Sequence, residues 1–240
     1  MRLAFQAASS PSDAAWAANQ LGELSFNAGR LDQAEASYRE AVARDPSYIP
    51  PHAGMAKVEA ARGDLAGASA GMAWVVARYP TPEYVIALGD LYSVAGRDVD
   101  AQRQFALVRA EERLFQANGV NMDLEIALFD ADHGVDLANG LAAARAEWAR
   151  RQSVNVADAL AWQLYANGRY REALGYANRA LHLGTQSALF FFHRGMIEKA
   201  TGRTADALAD LSTALRINPH FSILWARPAA RILARMGGSP

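Results

Sequence analysis

The chain has no cysteine, which excludes disulfides and thiolate metal sites and leaves the compartment open. It has no surplus of positive charge either. Its 24 Lys and Arg stand against 25 Asp and Glu, a formal net charge of −1, and its longest basic run is Arg150-Arg151. Binding nucleic acid requires a Lys/Arg-rich face to neutralise phosphates, so nucleic acid is not an expected partner. Long apolar runs are missing too. Ala188 to Phe192 stops at His193 and Arg194, far short of the roughly 20 residues a spanning helix needs, and no membrane partner is expected. The opening Met1-Arg2-Leu3-Ala4-Phe5 lacks the apolar core of a secretory leader, which favours the cytoplasm over export. Phosphate loops, nucleophile elbows and zinc-protease pairs are absent. His52, His133, His182, His193 and His220 form no two-histidine helical metal motif. The expectation is a protein with no catalytic role, no cofactor and no metal.

What the chain does have is a ruler of glycines: Gly29, Gly63, Gly96, Gly134, Gly168 and Gly202, with gaps of 34, 33, 38, 34 and 34 residues. A period of this size marks one supersecondary unit stacked many times. With 51% apolar residues over 240 positions there is ample material for a core, spread as a strip between layers. The residues around each glycine repeat as well. Unit one has Leu21-Gly22, then Gly29-Arg30, Ala34, Tyr38, Ala41 and Pro46. Unit two has Met55-Ala56, Gly63-Asp64, Ala68, Met72, Val75 and Pro80, and unit six has Gly195, Gly202-Arg203, Ala207, Leu211, Ala214 and Pro219. The turn glycine provides a left-handed conformation that ends a first helix. Small residues let two antiparallel helices approach closely. Tyr38, Met72, Phe105 and Leu211 fill the space between layers, and proline stops the second helix.

This arrangement resembles the tetratricopeptide repeat, in which a Leu-Gly pair, Tyr, Ala, Phe, Ala and Pro recur over about 34 residues. Strings such as Leu128 to Gly134 and Asn218-Pro219-His220-Phe221 also resemble uncharacterised bacterial members of the family. The resemblance implies an all-α, right-handed superhelical solenoid of about six helix hairpins with a C-terminal cap. The expected boundaries are 11–46, 48–80, 82–118, 120–151, 154–184 and 186–219, with residues 1–9 as the remnant of a preceding repeat helix and a cap at 221–236. The 38-residue gap predicts one long helix from Val99 to Ala117, closed by Asn118-Gly119. In the fourth unit Asn139 stands where alanine is expected. Shifting by one residue recovers Ala138 and Ala142, which predicts a turn shortened by one residue. Ser10 is the expected N-cap of the first complete helix, with Pro11 in its first turn and Asp13 reaching back. After Pro219, Ile223 to Met236 reads as a final helix with Arg227, Arg231 and Arg235 towards solvent.

In such arrays the first helix of each hairpin lines a concave groove. The resemblance therefore assigns groove positions to Trp16, Asn19, Glu23 and Phe26 in unit one, and to Lys57 in unit two. In the last two units it assigns Asp158, Trp162 and Tyr165, and Phe192, Met196 and Lys199. The aromatics could grip an apolar or helical peptide. The family's Lys/Arg/Asn clamp for acidic tails has no counterpart here, so an acidic tail is not the expected ligand. A separate cluster of Glu125, Asp130, Asp132, His133 and Asp136 lies near the fourth turn. It lacks the calcium-loop spacing, with Leu141 where the closing Glu belongs. It reads as a solvated helix end, or as a weak cation site or a polar hub joining units four and five. The function expected is a non-catalytic scaffold holding a peptide or protein segment. The alternative is a spacer or lid within a longer chain. Self-association is expected through an uncapped N-terminal face.

Overall fold

The computed structural model describes residues 1–6, 8–119 and 123–239. Residues 120–122, where the fourth repeat is expected to begin, lie outside them. All regular structure among the described residues is helical: α1 (Arg2–Gln6), α2 (Pro11–Asn27), α3 (Leu31–Arg44), α4 (Pro50–Arg62), α5 (Leu65–Val76), α6 (Pro82–Val94), α7 (Asp98–Ala117), α8 (Asp123–His133), α9 (Leu137–Arg150), α10 (Val154–Ala166), α11 (Tyr170–Leu181), α12 (Ala188–Ala200), α13 (Thr204–Ile217) and α14 (Ala226–Arg235). They gather into two units, Met1–Arg109 and Ala110–Pro240. Within each unit neighbours in sequence pack together, α2 on α3 and α4 on α5 in the first, α8 on α9, α10 on α11 and α12 on α13 in the second. This is the all-α solenoid that the resemblance to tetratricopeptide repeats implies.

The six glycines do what their spacing requires. All have positive φ, between 64° and 95°. The residue after each closes a six-to-one bond onto the end of the first helix: Arg30 N–H donates to Ser25 O at 2.9 Å, Arg97 to Tyr92 at 2.8 Å, Arg169 to Leu164 at 2.8 Å and Arg203 to Glu198 at 2.9 Å. The bond satisfies a carbonyl that the helix end would leave bare. Ser10 caps α2 by accepting from Asp13 N–H at 3.1 Å. The long α7 runs unbroken to Ala117, where the Asn118 side chain donates to Leu114 O.

The fourth turn departs from expectation. Gly134 and the bond from Val135 N–H to Asp130 O (3.0 Å) follow the common form. An additional residue, Asp136, then takes a left-handed conformation at φ 47° before α9 begins. The turn is lengthened by one residue, not shortened. One residue rotates the following helix by about 100°, so Gly140, Leu141 and Ala144 face the core while Ala138 and Ala142 are exposed. Gly140 takes the small-residue slot because the Gln163 side chain crosses there, donating to Ala127 O at 2.6 Å. A Cβ on Gly140 would lie 2.3 Å from Gln163 Nε2.

Close packing sets the spacing of the layers. In the first unit the fully buried Tyr38 ring lies between Gly22 of α2 and Gly54 of α4, and a Cβ on either would fall 2.4 Å from it. Phe26, Ala34 and Val58 complete that cluster. Phe105 against Gly89 repeats the device, and Leu211 against Gly195 does so in the second unit. Beside this apolar contact α12 and α13 also share a polar cluster. Arg194 Nη2 donates to Asp210 Oδ1 at 2.9 Å, and beside this pair Glu198 is buried. Burial above all, with the Asp210 carboxylate adding and Arg194 opposing, pushes the Glu198 carboxyl up to about 7.

Gly54→Ala gains about 1 kcal/mol of helix propensity but overpacks Tyr38, a cost of about 1–3 kcal/mol. Urea denaturation should show it less stable than wild type. Gly175→Ala in α11, whose added methyl meets open space, should be as stable as wild type or more so. For Glu198 the folded value lies above the unfolded one. Its contribution is therefore fully present below about pH 4.5 and is lost as pH rises through about 7. Thermal melts of wild type should fall relative to those of Glu198→Gln between pH 5 and 8. Parallel melting curves for the two proteins would refute this.

Candidate protein-binding face

The first helices of neighbouring hairpins touch one another, α2 with α4 in the first unit, and α10 with both α8 and α12 in the second. The groove positions lie on these helices. In the first unit Trp16 is 46% exposed, whereas Asn19 is buried and Phe26 is packed in the Tyr38 cluster. Glu23 sits between them as an acceptor. Tyr38 donates its hydroxyl to Glu23 Oε1 at 2.8 Å, and Lys57 Nζ lies 3.1 Å from Oε2. Burial and the Glu23 carboxylate hold the Tyr38 phenol well above its ordinary range. A tyrosine from α3 and a lysine from α4 thus converge on one carboxylate of α2.

In the second unit the aromatic positions come together more tightly. The Trp162 ring is stacked on both faces, by Tyr165 at 4.7 Å and 5° and by His193 at 4.2 Å and 13°. Phe192 and Trp225 approach its edges at 5.7 Å and 6.0 Å. Offset and edge contacts of this kind suit the ring quadrupoles. Trp162 is 2% exposed and Phe192 fully buried, so neither presents a free ring face. Tyr165 and Met196 are half-buried, packed against the same cluster, and Lys199 is exposed. Asp158, also buried, holds His193, whose Nδ1 lies 2.9 and 3.0 Å from the two carboxylate oxygens. The pair has the orientation of a general base with its positioning acid, but His193 is only 1% exposed. Sealed under Trp162, it serves the packing of α10 against α12.

The acidic cluster divides. Asp130 is buried, which the reading as a solvated helix end does not accommodate, while Glu125 and Asp136 are exposed. Asp132 Oδ1 accepts two indole N–H groups, from Trp162 at 2.8 Å and from Trp225 at 2.7 Å. It is the polar hub between α8 and α10, extended to a third element. Among the described residues no three His, Asp or Glu side chains converge as metal ligands. Trp225 is the participant that sequence reasoning missed. It precedes α14, which starts at Ala226 rather than at Ile223, so residues 221–225 form a turn. The available signal was two aromatics, Phe221 and Trp225, directly after a helix-stopping Pro219.

Comparison with known proteins agrees with this architecture. Residues 17–48 match the tetratricopeptide repeat family model. No curated protein sequence matches the chain. A tetratricopeptide repeat protein from Parabacteroides merdae superposes with a TM-score of 0.57 at 15% identity, over 93% of this chain and 84% of that one. The Cut9–Hcn1 hetero-tetramer of the APC/C gives 0.53 at 17% identity, over 92% of this chain, which spans only 42% of that one. Identities this low speak to the fold alone. No helix among the described residues is long and apolar enough to cross a membrane. Residues 17–48 are thus a tetratricopeptide repeat, and the chain has the fold of tetratricopeptide-repeat proteins.

Proposed function

We propose that the chain is a scaffold that holds a protein or peptide segment against the face built by its first helices. The observation that carries this reading is the direct packing of α10 on α8 and α12, which joins separate hairpins into one surface. A rigid surface of this kind binds without the cost of ordering itself. Lys199 and the half-buried Tyr165 and Met196 are the reachable groups of the second unit's face, and Trp16 is that of the first unit's. The partly exposed Glu23–Lys57 pair and the buried Asp158–His193 pair keep those polar groups bonded within the face. In this reading each hairpin from 11–46 to 186–219 is one repeat.

A second reading, a spacer without a ligand of its own, draws support from the burial of Asp158, Trp162 and Phe192. Photo-crosslinking separates the two. Crosslinkers at Trp16, Met196 and Lys199 should capture protein from the source cell at several-fold higher yield than crosslinkers at Arg39 of α3 or Arg171 of α11. Equal yields from both sets would favour the spacer. Trp16 and Leu24 are both exposed and two turns apart on α2, so that side of the helix is suited to a second copy. Sedimentation should show self-association that Trp16→Glu/Leu24→Glu abolishes.

A further inference from the structure

The second unit's face is already occupied. Trp225 reaches back 93 positions to Asp132 of α8, meets Trp162 of α10 by its edge, and stacks on Phe192 of α12 at 5.8 Å. Phe221, four residues earlier, lies 5.2 Å from the same Phe192 ring. One short turn therefore touches three successive first helices. We propose that this face is a binding surface for a polypeptide segment bearing two aromatic side chains four residues apart, the second a tryptophan, and that the chain's own Phe221 and Trp225 fill it in the resting protein. The proposal rests on the scaffold reading and names the chemistry of what that scaffold receives.

Three features mark the turn as an occupant and not as part of the wall. Its backbone bonds are local: Trp225 N–H donates to Ser222 Oγ at 3.1 Å, Ala226 N–H to Ser222 O at 3.2 Å, and His220 N–H to Asn218 Oδ1 at 2.9 Å. The contacts that reach α8, α10 and α12 come from side chains, as they do for a bound peptide anchored by aromatics. All five residues from 221 to 225 remain partly exposed. The receiving carboxylate is also held independently. Asp132 Oδ1 keeps its bond from Trp162 of the wall when Trp225 leaves, so the acceptor stays aimed at the next indole. A competing segment must supply an indole N–H in the same place, because a plain apolar ring leaves one Asp132 bond unmade.

The test uses the intact chain and a synthetic peptide of its residues 218–228. Under native conditions the Trp225 and Ala226 amides should exchange hydrogen about 100-fold faster than the core amides of α12, as local opening requires. Trp225→Ala should bind the labelled peptide at least about tenfold more tightly than wild type, since the closed fraction no longer taxes affinity. A peptide with Ala in place of its tryptophan should bind neither protein. Exchange of the turn only together with α12 and α13 would overturn the proposal, and so would a folded Trp225→Ala that ignores the peptide. Should Trp225→Ala fail to fold, exchange in wild type and in Trp225→Phe decides, with Trp225→Phe expected to open more often. Either failure would leave crosslinking at Trp16 in the first unit free to support or refute the scaffold itself.

Discussion

A bond between an amide and the carbonyl five residues earlier, closed across a left-handed glycine, recurs at all six hairpin turns and governs everything else. It ends the first helix of each hairpin within one turn and sends the chain straight back. In five of the six turns the second helix begins two residues after the glycine, from Gly29 and Leu31 to Gly202 and Thr204. That constancy puts Ala34, Ala68, Ala173 and Ala207 in equivalent buried slots. The turn at Gly134 shows how much depends on it. One added residue turns a different set of α9 side chains inward, and Gly140 replaces the alanine that the other hairpins use.

With the turns fixed, volume decides the packing. Two antiparallel helices approach closely where one lends no side chain, and Tyr38 and Phe105 each face a glycine there. Tyr38 has glycines on both sides, one from its own hairpin and one from the next, so a single residue sets both the width of a repeat and its distance to the following one. Some polar groups inside this packing are paired across helices, as Tyr38 and Lys57 are on Glu23, because an unmet buried polar group costs more than the pairing gains. Glu198 is the contrasting case. It is buried beside the Asp210 carboxylate, which Arg194 only partly offsets, and its carboxyl responds by holding its proton to a higher pH.

The candidate face inherits its character from these constraints. Aromatics at groove positions of α10 and α12 do not project freely. They stack on each other and on His193, and the turn before α14 covers what is left. In the first unit the same positions split into a wall, with Asn19 and Phe26 buried, and a reachable Trp16.

Periodicity in the sequence was sufficient for the helix hairpins, the sign of the backbone torsion at each glycine and the long helix α7. All of these are local consequences of which residue types tolerate which torsions. That the groove positions assigned by resemblance lie on the first helices was also legible, since they precede each turn glycine. Whether a side chain at such a position is open or sealed was not, because that depends on what arrives from elsewhere. Trp162 is covered in part by His193 and Trp225, and Phe192 by Phe221 and Trp225, all distant in sequence, and Asp132 acquires its role from an indole 93 positions away. The length of the fourth turn likewise lay beyond local reading: the Gln163 side chain, distant in sequence, occupies the slot that only Gly140 leaves open.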